Sequence, residues 1–514
     1  MNISHTNLQR SLVVYFAIGL LIFFVVFEAV SLVCWLALPF SSLFPNEQWK
    51  EAVALFLSNE TGLFFSLQQL APILLAVLLV TGGIGLLRLV LSFLKKRPRL
   101  VLRLSSSRKG VDVLAGLRSS LDDVFDPAGT SSRRWVLVLA LSVLVVSCVA
   151  TYPYLPGLNP NGRLVGADVS TYVKWLVEMD TRGTANVFPQ AFFDLPSRSL
   201  SVVLMYLGWK ASGASIGQFF QLLPLCLGLA LVLVAFFFAR KAGFNSWAAS
   251  FVALFTAFSF QVTVGMYGGF FSNWVCLIFL YLAWGFLFWS MRKGSWSLLG
   301  AATLFQVCVL FAHVETWEMT VGIAAVFLAI TFARSLARKS GFLGVEMLLT
   351  FLVAGVAAGL ARSIVLGNNF AFAHATELSQ THLSGPFVWE FWRILNRTLL
   401  SEMGISFANP VMLFLACVGG LVLAFDERLV SRFLSACVVA VTVPFVFGDW
   451  VIQTRILYDL PIQVFASLGL FFLLRLTGTL VGKRREAAVI KCLLLVLVVL
   501  VNVNYAFRCS FNLA

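Results

Sequence analysis

The sequence predicts an all-α fold: a polytopic bundle of transmembrane helices, with one long outer loop and no large soluble domain. The 514-residue chain is 60% hydrophobic and only 12% charged, and its mean hydropathy is +0.92. Apolar runs of about twenty residues recur along it, and a helix of that length crosses the hydrocarbon core of a bilayer. A membrane β-barrel would instead show short segments of alternating hydrophobicity.

About thirteen spans are predicted from these runs. They lie at residues 12–38, 70–94, 134–151, 216–239, 246–264, 270–290, 296–313, 318–334, 342–362, 405–424, 430–448, 456–475 and 487–506. A long loop, residues 152–199, joins the third and fourth spans. The apolar segment 200–209 is too short to cross a bilayer alone, so we interpret it as interfacial or re-entrant.

Basic segments predict the orientation of the chain. Lys and Arg collect in cytoplasmic loops of membrane proteins, and five basic segments fall on one side if thirteen spans are correct. They lie at residues 95–134, 239–241, 291–293, 333–339 and 482–486. We therefore expect a multi-pass protein of a prokaryotic cell membrane, with a cytoplasmic N-terminus and an outside C-terminus. The same bias explains the net charge of +14 without a nucleic-acid partner.

The predicted organisation has four parts. Residues 1–94 form an N-terminal two-span appendage, and residues 95–133 form a basic cytoplasmic linker. Residues 134–475 form the transmembrane core, which includes the outer loop 152–199, and residues 476–514 supply a C-terminal span. The nine cysteines are scattered without a CxxC motif, which indicates neither a disulfide framework nor a zinc site.

Asp168 is the predicted catalytic residue in the outer loop. It follows a Pro- and Gly-rich segment and precedes a helix expected at residues 170–179. An ionised carboxylate there could accept the proton of an incoming hydroxyl as a general base. The alternative is that Asp168 caps the helix by accepting hydrogen bonds from its free backbone amides.

Three acidic residues are candidate ligands of Mg²⁺ or Mn²⁺, which prefer oxygen ligands. Glu178 and Asp180 form a Glu-x-Asp pair in the outer loop, and Glu315 lies in another outer segment. The alternative for Glu178 is an ordinary i,i+4 salt bridge with Lys174.

Further polar residues fall at the ends of apolar spans on the outer side. His313 and Trp317 share one helix face in the sequence HVETWE, which is either a binding site or the wet turn of a helical hairpin. Arg455 lies outside, against the positive-inside trend, and could hold a phosphate through its planar fork. Its alternative role is snorkelling to lipid headgroups. Asp459, one turn later, is the predicted neutralising partner of Arg455.

The order of these features resembles the C-type glycosyltransferase (GT-C) superfamily, membrane enzymes that use polyprenyl-phosphate sugars. The resemblance covers roughly residues 134–475. It rests on Asp168 before an amphipathic helix, the sequence DLPSRSLSVVLMYLGW at 194–209, MYGGFFSNWVCLIFLYL at 266–282, the span end at His313 and the late arginine Arg455. It implies that Asp168 is the catalytic carboxylate and that Arg455 holds the lipid phosphate. The remaining predicted substrate-binding residues are His313, Trp317, Arg198 and Asp459.

Two departures refine this resemblance. Asp168 is followed by Val169 and not by the second acid common in the mannosyltransferases of the superfamily. The WWDYG-like motif and large C-terminal soluble domain of oligosaccharyltransferases are also absent from the sequence. A small transferase is favoured over a protein glycosylator.

The sequence thus predicts an integral-membrane glycosyltransferase that moves a sugar from a polyprenyl-phosphate donor to an acceptor on the outer face, by direct displacement at the anomeric carbon. Its expected partners are the polyprenyl-phosphate sugar and the lipid bilayer. One alternative is a transporter or lipid flippase, which would place charges near the membrane midplane on broken helices. Another is a non-catalytic membrane scaffold, whose outer carboxylates would tolerate alanine.

Overall fold

The computed structural model describes residues 5–43, 47–94, 124–125, 133–338, 342–366, 387–402, 409–447, 457–481 and 484–511. Throughout these ranges the chain is helical or in turns, and they contain no β-strand. The predicted all-α fold is confirmed.

Most of the chain lies in long helices because its apolar runs contain few helix-breaking residues. The longer helices are α1 (His5–Ala37), α2 (Glu47–Gln68), α3 (Ala71–Leu94), α4 (Arg134–Thr151), α5 (Val169–Thr181), α6 (Ser199–Ser212), α7 (Ile216–Ala242), α8 (Ser246–Ala257), α9 (Phe260–Gly268), α10 (Phe271–Lys293), α11 (Trp296–Ala312), α12 (Val314–Arg338), α13 (Leu343–Leu366), α14 (Phe387–Asn396), α15 (Pro410–Ala424), α16 (Leu429–Phe447), α17 (Ile462–Val481) and α18 (Arg484–Phe511).

Ten segments in the described ranges are long and apolar enough to cross a membrane. They are Val13–Phe40, Ser66–Gly85, Arg134–Tyr154, Ile216–Ala242, Ser246–Gly268, Phe271–Lys293, Val314–Leu336, Leu343–Leu366, Ile462–Val481 and Arg485–Phe511. Shorter apolar helices occupy the three remaining predicted positions, at Trp296–Ala312, Pro410–Ala424 and Leu429–Thr442. The protein is therefore a multi-pass membrane protein.

Four of the longer helices lie outside the predicted spans: α2, α5, α6 and α14. α6 has 14 residues and is about 21 Å long at 1.5 Å per residue. It is therefore shorter than the hydrocarbon core, about 30 Å, as the sequence indicated for 200–209. α2 was not predicted. Its sequence mixes Glu, Lys and Asn with apolar residues, so no apolar run marks it.

Basic segments meet at one end of the bundle. Nη1 of Arg292 lies 3.4 Å from the carbonyl oxygen of Lys241, and Arg334 forms an ion pair with Glu427. The described part of the linker lies at the same end, where Arg428 packs over the ring of Phe125 at 4.6 Å. These contacts bring together segments that the sequence assigned to one side.

The span Ser246–Gly268 forms the centre of the bundle and is buried along its length. It is broken into α8 and α9 at Ser259, whose backbone is extended. Below the break, Gln261, Tyr281 and Gln463 hydrogen-bond to one another. These polar side chains thus bond mainly to one another, although Oε1 of Gln463 is buried and accepts no hydrogen bond from a described residue.

α15 and α17 cross in direct backbone contact. A Cβ atom on Gly419 would lie 2.0 Å from the carbonyl oxygen of Phe465, and one on Gly469 would lie 1.9 Å from that of Leu415. Both distances are far below van der Waals contact. Glycine is therefore required at both positions for the helices to approach this closely.

The N-terminal helices pack against the C-terminal part of the chain. α1 lies along α18, and α3 lies against α15 and α16. The side chain of Asn504 donates to the backbone oxygen of Glu28 at 2.8 Å. The segment predicted as an N-terminal appendage is therefore in contact with helices from residue 410 onward.

Candidate functional site

Asp168 stands at the start of α5, at the end of an ordered loop. The loop is closed on itself by Asn159, whose side chain donates to the carbonyl oxygen of Arg163 at 2.8 Å and accepts from its N–H at 2.9 Å. Gln221, on α7, donates to the carbonyl oxygen of Gly162 at 3.1 Å. These bonds fix the path of the chain before it reaches Asp168.

The turn between α9 and α10 holds the backbone of Asp168. The N–H of Asp168 donates to the carbonyl oxygen of Gly268 at 3.0 Å, and that of Ala167 donates to Tyr267 at 2.9 Å. The two backbone segments in this contact approach closely because each contains a glycine. Gly166 has φ +119° and Gly269 has φ +63°, and a Cβ on Gly166 would lie 2.9 Å from Cα of Gly269.

The side chain of Asp168 does not cap α5. Asp168 occupies the N-cap position, but its backbone is in the helical region and its carboxylate makes no capping hydrogen bond. This differs from Ser215 and Asn409, whose side chains cap α7 and α15. The capping alternative for Asp168 therefore has no support in the geometry.

A cavity of about 690 Å³ opens beside Asp168. One face of α5 lines it with Asp168, Thr171, Tyr172 and Trp175, and residues 193–198 line the opposite side. Asp168 and Arg198, two of the residues singled out in the sequence, therefore border one cavity. Its walls combine a carboxylate, a guanidinium and aromatic rings.

Arg198 is positioned by two aromatic residues of α5. Its Nη1 lies 3.5 Å from the hydroxyl of Tyr172, and its guanidinium lies 5.8 Å from the ring centre of Trp175. A cation over an aromatic face is attracted by the ring quadrupole. Tyr172 is itself fixed, because its hydroxyl donates to Oγ of Ser272 at 2.9 Å and accepts from the N–H of Ser272 at 3.2 Å.

The contact between Gly269 and Asp168 gives a testable prediction. A Cβ on Gly269 would lie 3.2 Å from the backbone nitrogen of Asp168, and alanine at positive φ costs about 1–2 kcal/mol. We expect Gly269→Ala to displace the carboxylate and to lower activity by about 10²-fold, the cost of a misplacement of about 1 Å. The measurements are the turnover of the expected sugar transfer and the thermal stability of the variant.

Gly183→Ala is the matched control for this prediction. Gly183 also has a positive φ, +85°, but a Cβ there would meet no atom within 4 Å. It should therefore reproduce the backbone strain and keep the activity. Equal activity losses in both variants would show that Gly269 does not act through Asp168.

His313, Glu315 and Asp459 are brought together in one cluster, in which His313 and Asp459 are buried and Glu315 is partly exposed. Nε2 of His313 lies 3.5 Å from the carboxylate of Glu315, and Nδ1 lies 3.2 Å from Oγ1 of Thr316. Thr316 donates to the carboxylate of Asp459 at 3.2 Å. Asn273 lies 3.4 Å from Nδ1 of His313. Asn273 follows Ser272, which holds the hydroxyl of the cavity residue Tyr172, so the first turn of α10 connects the cluster with the cavity wall.

Trp317 is placed elsewhere. Its indole is buried against α13, where a Cβ on Gly359 would lie 2.3 Å from the ring. Trp317 therefore packs between two helices and is not part of the cavity lining.

Glu178 and Asp180 each bind a basic side chain. Glu178 pairs with Arg182 at 2.5 Å and not with Lys174, the partner weighed from the sequence. Asp180 pairs with Lys210 at 2.5 Å and accepts from Tyr206 at 3.2 Å. The hydrogen bond from Lys210 holds the pKa of Asp180 below its ordinary value. Both carboxylates are thus engaged by basic groups.

The three candidate metal ligands are not gathered into one group. Within the described ranges, no group of three or more His, Cys, Asp or Glu side chains could hold a metal ion. Glu315, the third candidate, contacts His313 and not the Glu178–Asp180 pair. No step of the proposed reaction is therefore assigned to a metal.

Arg455 lies outside the described residues, in the gap 448–456. Its predicted contact with a phosphate, and its pairing with Asp459, stay predictions. Of the basic linker 95–133, the structure describes only Val124, Phe125 and Arg133.

The sequence analysis missed three residues at the site. Tyr172 and Trp175 follow Asp168 at i+4 and i+7, a spacing that places all three on one helix face, and this signal was available in the sequence. Arg362 is buried near the C-terminal end of α13 and donates to the carbonyl oxygen of Pro196, which lines the cavity. It lies in an apolar run, so only the structure connects it with the site.

Comparison with known proteins gives a distant likeness among solved structures. No protein-family model matches the sequence, and no curated protein matches it. Among solved structures, the chain is similar to the crystal structure of ArnT from Cupriavidus metallidurans bound to undecaprenyl phosphate. The TM-score is 0.41 and the identity 13%, over 74% of this chain and 78% of that chain. At this distance, function has to be argued from the residues of the site.

Proposed function

We propose that the protein is a glycosyltransferase of the GT-C type, which transfers a sugar from a polyprenyl-phosphate carrier to an acceptor on the outer face of the cell membrane. The observation that carries this proposal is the cavity bordered by both Asp168 and Arg198. A base for the acceptor and a cation for the leaving phosphate are the two groups that such a transfer requires.

The proposed reaction is a direct displacement. Asp168 accepts the proton of the acceptor hydroxyl as its oxygen attacks the anomeric carbon. The bond between that carbon and the phosphate oxygen breaks, and the polyprenyl phosphate leaves with the electron pair. Arg198 stabilises the growing negative charge on the phosphate through charge-assisted hydrogen bonds. Every atom of the step belongs to donor, acceptor or these two side chains.

Arg198 is a suitable phosphate ligand because its position is already fixed. Its contacts with Tyr172 and Trp175 limit the conformational freedom that the side chain would lose on binding. Arg455, the residue chosen from the sequence, would be a second ligand arriving from the segment before α17. The two assignments are compatible, since Arg–phosphate sites often contain more than one guanidinium.

The proposed orientation places the cavity outside the cell. It rests on the basic contacts at the opposite end of the bundle, around Lys241, Arg334 and Arg428. Cytoplasmic loops carry the excess of Lys and Arg. Donor and acceptor would therefore meet on the outer face.

The transporter alternative has one observation in its favour, the break between α8 and α9. Broken helices in transporters expose backbone and polar groups to a substrate. Here Gln261 instead donates to the carbonyl oxygen of Tyr458 at 2.9 Å, and Gln463 donates to Gln261 at 2.8 Å. The polar groups at the break are used within the protein, so we favour the transferase.

Binding of a polyprenyl monophosphate tests the proposal. We expect the protein to bind it more tightly than the polyprenyl alcohol of equal chain length. Arg198→Ala should weaken phosphate binding about tenfold or more, because a hydrogen bond to a charged group contributes about 1.5–3 kcal/mol. Binding of the alcohol should not change.

Lys174→Ala is the control for loss of positive charge. Lys174 is exposed on α5 and does not line the cavity, so its removal should leave phosphate binding within about twofold. If Arg198→Ala bound the phosphate as tightly as Lys174→Ala does, the role proposed for Arg198 would be wrong.

A further inference from the structure

A second group of buried charges lies on α1, α2 and α18, helices that do not line the cavity. It consists of Glu28, Glu60 and Arg508, with exposed fractions of 6%, 2% and 2%. The two carboxylates interact electrostatically with each other, and both interact with Arg508. Nothing in the proposed transfer reaction uses these residues.

Specific hydrogen bonds hold both carboxylates in place. Nδ2 of Asn504 donates to Oε2 of Glu28 at 2.6 Å, and Nε1 of Trp35 donates to Oε2 of Glu60 at 3.2 Å. In contrast, Oε1 of Glu60 and Oδ1 of Asn504 are buried and accept no hydrogen bond from any described residue. The hydroxyl of Ser31 on α1, which acts on Glu60, is buried there as well.

The group contains more negative than positive charge. Two ionised carboxylates and one guanidinium leave one net negative charge. α1 and α18 are both membrane spans, so this charge would lie within the bilayer, where an uncompensated ion is costly. One proton would cancel the charge.

We propose that Glu28 and Glu60 together hold one proton, which neutralises the group and fastens α1 and α2 to α18. Among the described titratable and charged side chains, Cys34 on α1 and Arg508 on α18 interact with the pair, and Tyr505 and Cys509 on α18 interact with Arg508. Of these, Arg508 alone is cationic, and it neutralises only one of the two carboxylates.

The proton makes stability depend on pH in a defined direction. Burial raises the pKa of Glu60, and Arg508 opposes this shift. A carboxyl whose pKa is raised in the folded state binds its proton more tightly there than in the unfolded state. Its contribution is therefore complete at pH values below the ordinary glutamate range and is lost as pH rises through the raised value.

Infrared titration of the full-length protein in lipid nanodiscs tests the proposal. The wild type should show the carbonyl band of a protonated carboxyl group at neutral pH, and the band should disappear as pH rises. Glu60→Gln and Glu28→Gln should each lose the band, because the remaining carboxylate then pairs with Arg508. Glu51→Gln, which changes an exposed acid of α2, should keep it.

Two results would overturn the proposal: no such band in the wild type, or a band that survives in both buried variants. The wild-type titration alone decides the first point if a variant fails to fold. Thermal unfolding in sodium and in choline chloride distinguishes a bound metal cation. Stabilisation by sodium alone would mean that a cation, and not a proton, neutralises the group.

Discussion

Asp168→Asn should reduce sugar transfer by about 10²–10⁴-fold, the usual contribution of a general base. Asparagine has nearly the size of aspartate but does not accept a proton at neutral pH. Its carboxamide should keep the contacts that shape the cavity, and α5 should form normally, since Asp168 makes no capping hydrogen bond. Turnover and thermal stability of the purified variant provide the measurement.

Two further variants separate catalysis from structure. Asp168→Ala should be as inactive as Asp168→Asn, yet should lose less stability than the roughly 1 kcal/mol typical of a deleted cap. Asp180→Asn removes another acid of the same loop, which pairs with Lys210 away from the cavity, and should retain activity. An active Asp168→Asn protein would disprove the catalytic role.

Gly419→Val and Gly469→Val should each prevent accumulation of folded protein. The first added carbon atom would lie 1.9–2.0 Å from a backbone oxygen, far inside van der Waals contact, and no side chain can move aside to admit it. We expect a loss above the roughly 1–3 kcal/mol usual for overpacking, which is a large part of a total stability of about 5–15 kcal/mol. Yield and monodispersity after detergent extraction measure the effect.

The control for these variants is Gly300→Val in α11. Gly300 is also helical, but a Cβ there meets no atom within 4 Å, so valine should be tolerated. Normal yields of Gly419→Val and Gly469→Val would mean that α15 and α17 do not cross as described.

The spans were predictable from sequence because hydropathy is a local property. A run of about twenty apolar residues is most stable in the hydrocarbon core of the bilayer. The apolar helices from α1 to α18 therefore fall where expected. α2 escaped prediction because its burial depends on Trp35 and other partners distant in the sequence. Its own residues resemble those of a surface helix.

Contacts between distant segments decided the parts of the site that the sequence left open. Asp168 and Arg198 were both chosen as site residues, but the cavity between them depends on the loop folding back onto α5. Glu178 had basic residues four positions away on both sides, Lys174 and Arg182. Arg182 also contacts Asp194 at 3.1 Å, and this third residue explains the choice of partner.

Trp317 illustrates the opposite case. An aromatic residue at a span end is equally consistent with a binding site and with interhelical packing. The deciding feature is Gly359, more than forty positions later, which leaves room for the indole. A single sequence cannot pair these two positions.

The contact between α1 and α18 has a consequence for the synthesis of the protein. Glu28 and Asn504 are 476 positions apart, and ribosomes add roughly 5–20 residues per second, so roughly 25–95 s pass between the two. During that time the carboxyl group of Glu28 lies in or near the bilayer without its hydrogen-bond donor, Asn504. A chain interrupted before residue 504 therefore lacks the hydrogen-bond donor that holds Glu28 in the finished protein.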